Sequence, residues 1–141
     1  MFERQIEIPS AEEIRERIPL PAALAAIKAE RDELVKDVIA GRSDKLLVIV
    51  GPCSAHESAP VLEYVRRLGR LNERVRDKLV LVPRIYTNKP RTRGVGYKGM
   101  FSQPDPENRE NILKGILTIR DLHIRAIEES GLSAADEMLY P

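Results

Sequence analysis

The sequence predicts an α/β fold, a parallel sheet with crossover helices standing behind a helical N-terminal extension. Three observations carry this. Two short apolar runs, Lys45-Leu46-Leu47-Val48-Ile49-Val50 and Leu79-Val80-Leu81-Val82, have the length and the non-alternating composition of strands buried on both faces. Between them, Val61, Leu62, Val65, Leu68, Leu71 and Val75 recur at helical spacing. A second helical pattern follows the second run, and the chain then enters Ala134-Ala135-Asp136-Glu137-Met138-Leu139-Tyr140, which has the composition of a third strand's beginning. Strand, helix, strand, helix, strand in that order is the signature of parallel pairing through crossovers. A doubly wound sheet and a (β/α) barrel both satisfy it.

Taken from the N-terminus, Gln5-Ile6-Glu7-Ile8 reads as extended, and Ser10 with Glu13 three residues on forms a capping box for a short helix that ends at Pro19. From Pro21 to Ala40 the positions Leu24, Ile27, Leu34, Val35, Val38 and Ile39 share one helical face, with Gly41 as the stop. Gly51-Pro52 ends the first strand. Pro83 has no N–H to give to a ladder and is placed at a sheet edge or at the exit of the second strand. Asp105-Pro106 has the form of an N-cap followed by a first-turn proline, opening a long helix through Ile112, Ile116, Ile119, Leu122 and Ile127 to Gly131.

Composition bounds the function. The chain of 141 residues has room for one domain. Its 23 basic and 22 acidic side chains leave a formal charge of +1, so any attraction for anions is local, and nothing global points to nucleic acid or a membrane. No apolar run approaches the ~20 residues of a membrane span, and Met1-Phe2-Glu3-Arg4-Gln5 lacks the apolar core of a secretory signal. A single cysteine, Cys53, allows no internal disulfide and fits the reducing cytoplasm.

The local charge lies in residues 84 to 103, where Arg84, Lys89, Arg91, Arg93 and Lys98 occur with no Asp or Glu. Gly94-Val95-Gly96-Tyr97-Lys98-Gly99 within it spells G-x-G-x-x-G, but its flanks are wrong for a dinucleotide site. Tyr86 to Arg93 separate the strand from Gly94, and Phe101 to Pro104 separate Gly99 from the next helix. The stretch sits where α/β folds gather ligands, at the carboxyl ends of strands, and combines mobile ammonium charges with planar guanidinium forks. A small, multiply anionic substrate suits it better than RNA, for which no aromatic platform or wider basic face is present.

Cys53, in Gly51-Pro52-Cys53-Ser54-Ala55-His56, follows a strand and is open to three readings: an inert buried thiol, a nucleophile or a metal ligand. Cys-x-x-His alone lacks the second cluster that would complete a metal site. His56 is a candidate cap for the next helix, His123 falls within a helix as a structural residue, and Glu137 is either an acid–base group or a charged residue at a sheet edge.

Taken together, Leu46 to Glu57, Arg84 to Thr92, Tyr97-Lys98-Gly99 and Glu129 to Glu137 resemble the N-terminal part of type I 3-deoxy-D-arabino-heptulosonate 7-phosphate (DAHP) synthases, over about Ile14 to Glu137. The most specific pieces are the Gly-Pro-Cys-Ser turn and Lys89-Pro90-Arg91-Thr92. The resemblance implies the N-terminal part of a (β/α)8 TIM barrel, with 1–43 as the N-terminal extension and 44–141 as the first βα units. It implies condensation of phosphoenolpyruvate with D-erythrose 4-phosphate in aromatic amino acid biosynthesis, dependence on a divalent metal ion, and a homo-oligomeric full-length form.

Carried over residue by residue, the resemblance makes Cys53 a metal ligand, Arg84 and Lys89 contacts to phosphoenolpyruvate with Lys89 catalytic, and Arg91 and Thr92 contacts to erythrose 4-phosphate. The family usually has one residue fewer between Lys-Pro-Arg-Thr and the Trp/Tyr-Lys-Gly that follows, so Arg93 to Gly96 contains an insertion. Its third strand usually reads Gly-Glu-Phe-Leu-Asp, where this chain has Asp136 and Tyr140 at the first and last positions. A barrel of this kind needs ~250 residues, so the site is expected to be incomplete in 141. The alternative is a short non-catalytic homologue that binds or regulates a full-length synthase.

Overall fold

The computed structural model describes residues 7–89 and 96–137, a mixed helix and strand structure. The elements are α1 (Ala11–Arg17), α2 (Ala22–Ile39), β1 (Leu46–Val50), α3 (Ser58–Val75), β2 (Leu79–Pro83) and α4 (Ile112–Ser130). The capping box of α1 is formed: the Glu13 N–H donates to Ser10 Oγ at 3.2 Å and the Ser10 N–H to Glu13 Oε2 at 2.7 Å. Gly41, just past α2, has φ +70°, and Gly131 closes α4 at φ +68°, both in the left-handed region that a side chain disfavours.

β1 and β2 pair in parallel with register Leu46↔Leu79 through Val50↔Pro83, joined by the crossover helix α3. Pro83 is the last residue of β2, and the Arg84 N–H continues the pairing past it by donating to the Val50 carbonyl at 2.9 Å. Beyond this pair a single parallel bridge joins Arg84 to Ala135. The Ile85 N–H donates to the Ala135 carbonyl and the Ala135 N–H to the Pro83 carbonyl, each at 2.8 Å. The expected third strand is therefore present, among the described residues, as this one bridge at the edge of β2; residues 138–141 lie outside them, as do Gln5 and Ile6 of the expected extended stretch.

The core lies between α3, α4 and the sheet. Val61, Leu62 and Val65 of α3 meet Leu122 and Ala126 of α4, together with Ala55, Ile85 and Met100 from the loops at the carboxyl end of the strands. A second cluster joins Leu68, Leu81 and Leu132. α3 and α4 approach closely enough that a Cβ on Gly69 would lie 2.9 Å from the Ser130 carbonyl oxygen. The N-terminal helices are tied on by side chains reaching backbone: Arg31 donates to the Leu81 carbonyl at 2.8 Å, and Arg120 Nε to the Ile18 carbonyl at 3.0 Å. Burial lowers the pKa of the Arg31 guanidinium. None of the described helices is long and apolar enough to cross a membrane.

Two expectations are corrected. β1 is not buried on both faces: Leu46 is 68% and Ile49 55% exposed. An apolar run reports that a strand can be covered, while coverage itself depends on elements packed against it, and Leu47, Ile49 and Val82 line an open cleft of about 340 Å³ with Val35 of α2. The long helix does not open at Asp105-Pro106. Asn111 caps it, its side chain accepting the Lys114 N–H at 2.9 Å, and Asp105 instead closes a turn by accepting the Glu107 N–H at 3.3 Å and the Asn108 side-chain amide. The same short carboxylate serves either purpose. Contact decides between them here: a Cβ on Gly115 would lie 1.9 Å from the Phe101 carbonyl oxygen, so the first turn of α4 is pressed onto that loop.

Candidate functional site at the carboxyl end of the sheet

The turn after β1, the exit of β2 and the bridge at Ala135 all end on one side of the sheet. Gly51 is required there by contact, since a Cβ would fall 1.8 Å from the Arg84 carbonyl oxygen. This brings the turn Gly51-Pro52-Cys53-Ser54 against the backbone of Arg84 to Tyr86, and the Ala55 N–H donates to the Tyr86 carbonyl at 2.7 Å. Two segments that are separate in sequence form one floor.

Arg84 projects from this floor with its guanidinium held by three contacts. Nε donates to Glu137 Oε1 at 2.6 Å, Nη1 reaches the Pro52 carbonyl at 3.2 Å, and the group lies 4.4 Å above the centre of the Tyr86 ring. Its side chain is 28% exposed. Lys89 extends toward the β1 turn, its Nζ 3.4 Å from Ser54 Oγ. Sequence-predicted Arg84, Lys89 and the Cys53 turn are thus brought together. Arg91 and Thr92 lie outside the described residues.

The glycine pattern of the basic stretch has a structural reason in its last member. Gly99, at φ +99°, lets residues 98–101 run beside Thr87 to Lys89; a Cβ there would lie 2.5 Å from the Thr87 carbonyl oxygen and 2.7 Å from the Lys89 nitrogen. The Lys89 N–H donates to the Lys98 carbonyl at 3.0 Å and the Phe101 N–H to the Thr87 carbonyl at 3.1 Å. Lys98 turns away to Glu110 Oε1 at 2.5 Å, so its charge is neutralised from outside the stretch. Tyr97 lies edge-on to His56 at 6.2 Å, and burial pushes its hydroxyl up to about 12. His56 does not cap α3: its N-cap Glu57 shows no side-chain capping bond.

Cys53 is exposed and free. Among the described residues no group of three or more His, Cys, Asp or Glu side chains is placed to hold a metal ion. One thiol does not make a cation site, so Cys53 could hold the metal that the resemblance implies only together with ligands from outside the described residues.

Two acidic residues in the last described segment complete the site. Glu137, left open by the sequence between acid–base and edge roles, is the counter-ion of Arg84. Asp136 faces the other way: its Oδ1 accepts the Thr87 N–H at 3.1 Å and the Glu137 N–H at 2.8 Å, Oδ2 accepts the Thr87 hydroxyl, and His123 Nε2 stands 3.8 Å off. Burial pushes the Asp136 carboxyl up, but the nearby His123 side chain and the hydrogen bonds from Thr87 and Glu137 outweigh it and leave the group below its ordinary range. Neither this network nor Ser54 was legible as a site; the one available sign was that Asp136 departs from the family's usual residue.

Comparison with known proteins decides the family. The family model described as the DAHP synthetase I family matches residues 20–141. The chain belongs to the DAHP synthetase I family. It is 38% identical over 130 residues to the Tyr-sensitive phospho-2-dehydro-3-deoxyheptonate aldolase of Salmonella typhimurium, covering 92% of this chain and 36% of that one. It is 37% identical over 128 residues to the phospho-2-dehydro-3-deoxyheptonate aldolase of Amycolatopsis methanolica, covering 91% of this chain and 62% of that one. The solved phospho-2-dehydro-3-deoxyheptonate aldolase of Francisella tularensis superposes with a TM-score of 0.89 at 30% identity, over 99% of this chain and 40% of that one. The chain therefore spans between about a third and two thirds of the length of these DAHP synthetase I relatives.

Proposed function

We propose that the chain supplies the N-terminal βα units of a (β/α)8 DAHP synthase, with 1–43 as an extension and 44–141 as barrel, and that the complete enzyme condenses phosphoenolpyruvate with D-erythrose 4-phosphate, releasing phosphate. The observation that supports this most is the meeting of Arg84 and Lys89 with the Gly51 to Ser54 turn at the carboxyl end of a parallel strand pair, in a chain of this family. Ligands of (β/α) barrels gather at that end.

Both substrates carry phosphate, and one also a carboxylate. At an effective dielectric of about 20, two unit charges 4 Å apart repel by about 4 kcal/mol, so bringing the two together requires fixed cations. In this reading Arg84, oriented by Glu137, Pro52 and Tyr86, presents a planar fork to phosphoenolpyruvate, and Lys89 a point charge beside it. Arg91 and Thr92 would hold erythrose 4-phosphate. Cys53 would give one ligand to a divalent metal, whose chemistry is Lewis-acid polarisation of an oxygen. The full-length form is expected to be a homo-oligomer.

The test is phosphate release from phosphoenolpyruvate by a complete synthase carrying these 141 residues. Release that needs both erythrose 4-phosphate and a divalent metal is expected, with none from this polypeptide alone. A complete protein that binds phosphoenolpyruvate without turning it over would support the regulatory homologue instead.

A further inference from the structure

We infer that Asp136 is a positioning residue for Lys89, fixing the Thr87 to Lys89 segment against the edge of the sheet. The inference rests on the functional reading above and deepens it. The exit of β2 is held on its β1 side by the Arg84 N–H to Val50 and the Ala55 N–H to Tyr86, and on its other side by the bridge to Ala135. That bridge ends at Ile85. Past it, among the described residues, Thr87 makes no ladder bond to the segment at Ala135, and its N–H and hydroxyl both go to the Asp136 carboxylate. One side chain thus takes over where the backbone pairing among the described residues stops, two residues before Lys89.

The arrangement has the marks of a fixed bracket. Thr87 is 1% exposed, so its donors have no water to turn to if the carboxylate is removed. Asp136 is itself held, by the Glu137 N–H on Oδ1 and by His123 of α4 on the Oδ2 side. The Thr87 carbonyl accepts from Phe101 on the opposite side, so the segment is clamped between Asp136 and residues 98–101. Among the described residues Lys89 has one weak side-chain contact, to Ser54 at 3.4 Å. Its aim is therefore set by the backbone that carries it. The adjacent residue, Glu137, aims Arg84, so consecutive side chains of one segment position both cations.

The experiment measures, in the complete synthase carrying these residues, phosphoenolpyruvate affinity by calorimetry, steady-state kinetics, and hydrogen exchange of the Thr87 amide. Asp136→Ala is expected to speed exchange at Thr87 at least tenfold and to weaken phosphoenolpyruvate binding about tenfold, while Asp136→Asn, which keeps an acceptor, restores part of both. If Asp136→Ala fails to fold, Thr87→Val removes the hydroxyl donor alone and is expected to raise the KM for phosphoenolpyruvate several-fold, with Thr87→Ser restoring it. Wild-type affinity and KM in these variants would overturn the positioning role while leaving the enzyme reading intact. A wild-type protein that does not bind phosphoenolpyruvate would overturn both.

Discussion

Arg84 Nε lies 2.6 Å from Glu137 Oε1, an ion pair between the exit of β2 and the segment that bridges to its edge. It pairs a candidate substrate cation with an internal anion, so an arriving carboxylate or phosphate meets a guanidinium that is already oriented and already partly neutralised. Exposed pairs of this kind are worth about 0.2 to 1 kcal/mol. Glu137→Gln keeps an acceptor for orientation and removes the competing charge, and it is expected to tighten phosphoenolpyruvate binding by up to about fivefold on the same energy scale. Titration calorimetry on the complete enzyme checks this; weaker binding would mean that the charge of Glu137, not only its shape, is needed.

Among the described residues the Lys89 ammonium has no acidic partner and reaches only Ser54 Oγ, at 3.4 Å. Lys89→Ala in the complete enzyme is expected to lower turnover by about 100-fold, the scale seen when a preorganised electrostatic contact is removed. Wild-type kinetics would remove it from the site.

Cys53→Ala is expected to weaken divalent metal binding in the complete enzyme without loss of folding, because the thiol is exposed. Metal titration monitored alongside circular dichroism separates the two effects, and unchanged affinity would end the ligand assignment.

Gly51→Ala is expected to destabilise by about 1 to 3 kcal/mol or more, since the added methyl would meet the Arg84 carbonyl at 1.8 Å and the backbone must move. Urea unfolding reads this directly. A near-neutral result would show that the turn and β2 separate easily.

Asp136 gives the stability a pH signature. Its folded pKa lies below the ordinary range, so the folded state binds its proton less readily than the unfolded state does. The stabilisation is therefore present above the ordinary carboxylate range and is lost as the pH falls through it to the folded value. The difference in urea midpoint between the wild type and Asp136→Asn is expected to be largest near neutrality and to shrink in acid; a difference independent of pH would show that the charge contributes nothing.

Part of this site was legible in the residues. The turn at Gly51 to Ser54 and the cations Arg84 and Lys89 lie directly after apolar runs, and chain direction alone puts strand exits on one side of a parallel sheet. The partners were not legible. Arg84 and Glu137 are 53 residues apart, and Thr87 and Asp136 are 49 apart, so no local spacing announces either contact. Asp105-Pro106 misled for the opposite reason, because its local chemistry is genuine and serves a turn in place of a helix cap.

The sequence by itself determined the parallel βαβ unit, the capping of α1, the glycine stops of α2 and α4, and the family, because periodicity, caps and motif spacing act within a few residues. Tertiary structure decided which faces of β1 are covered, where α4 begins, and which carboxylates hold the cations. Those depend on the approach of distant segments, on the Phe101 carbonyl against Gly115 and on the last described residues lying against the exit of β2, and only the folded chain brings such atoms within contact.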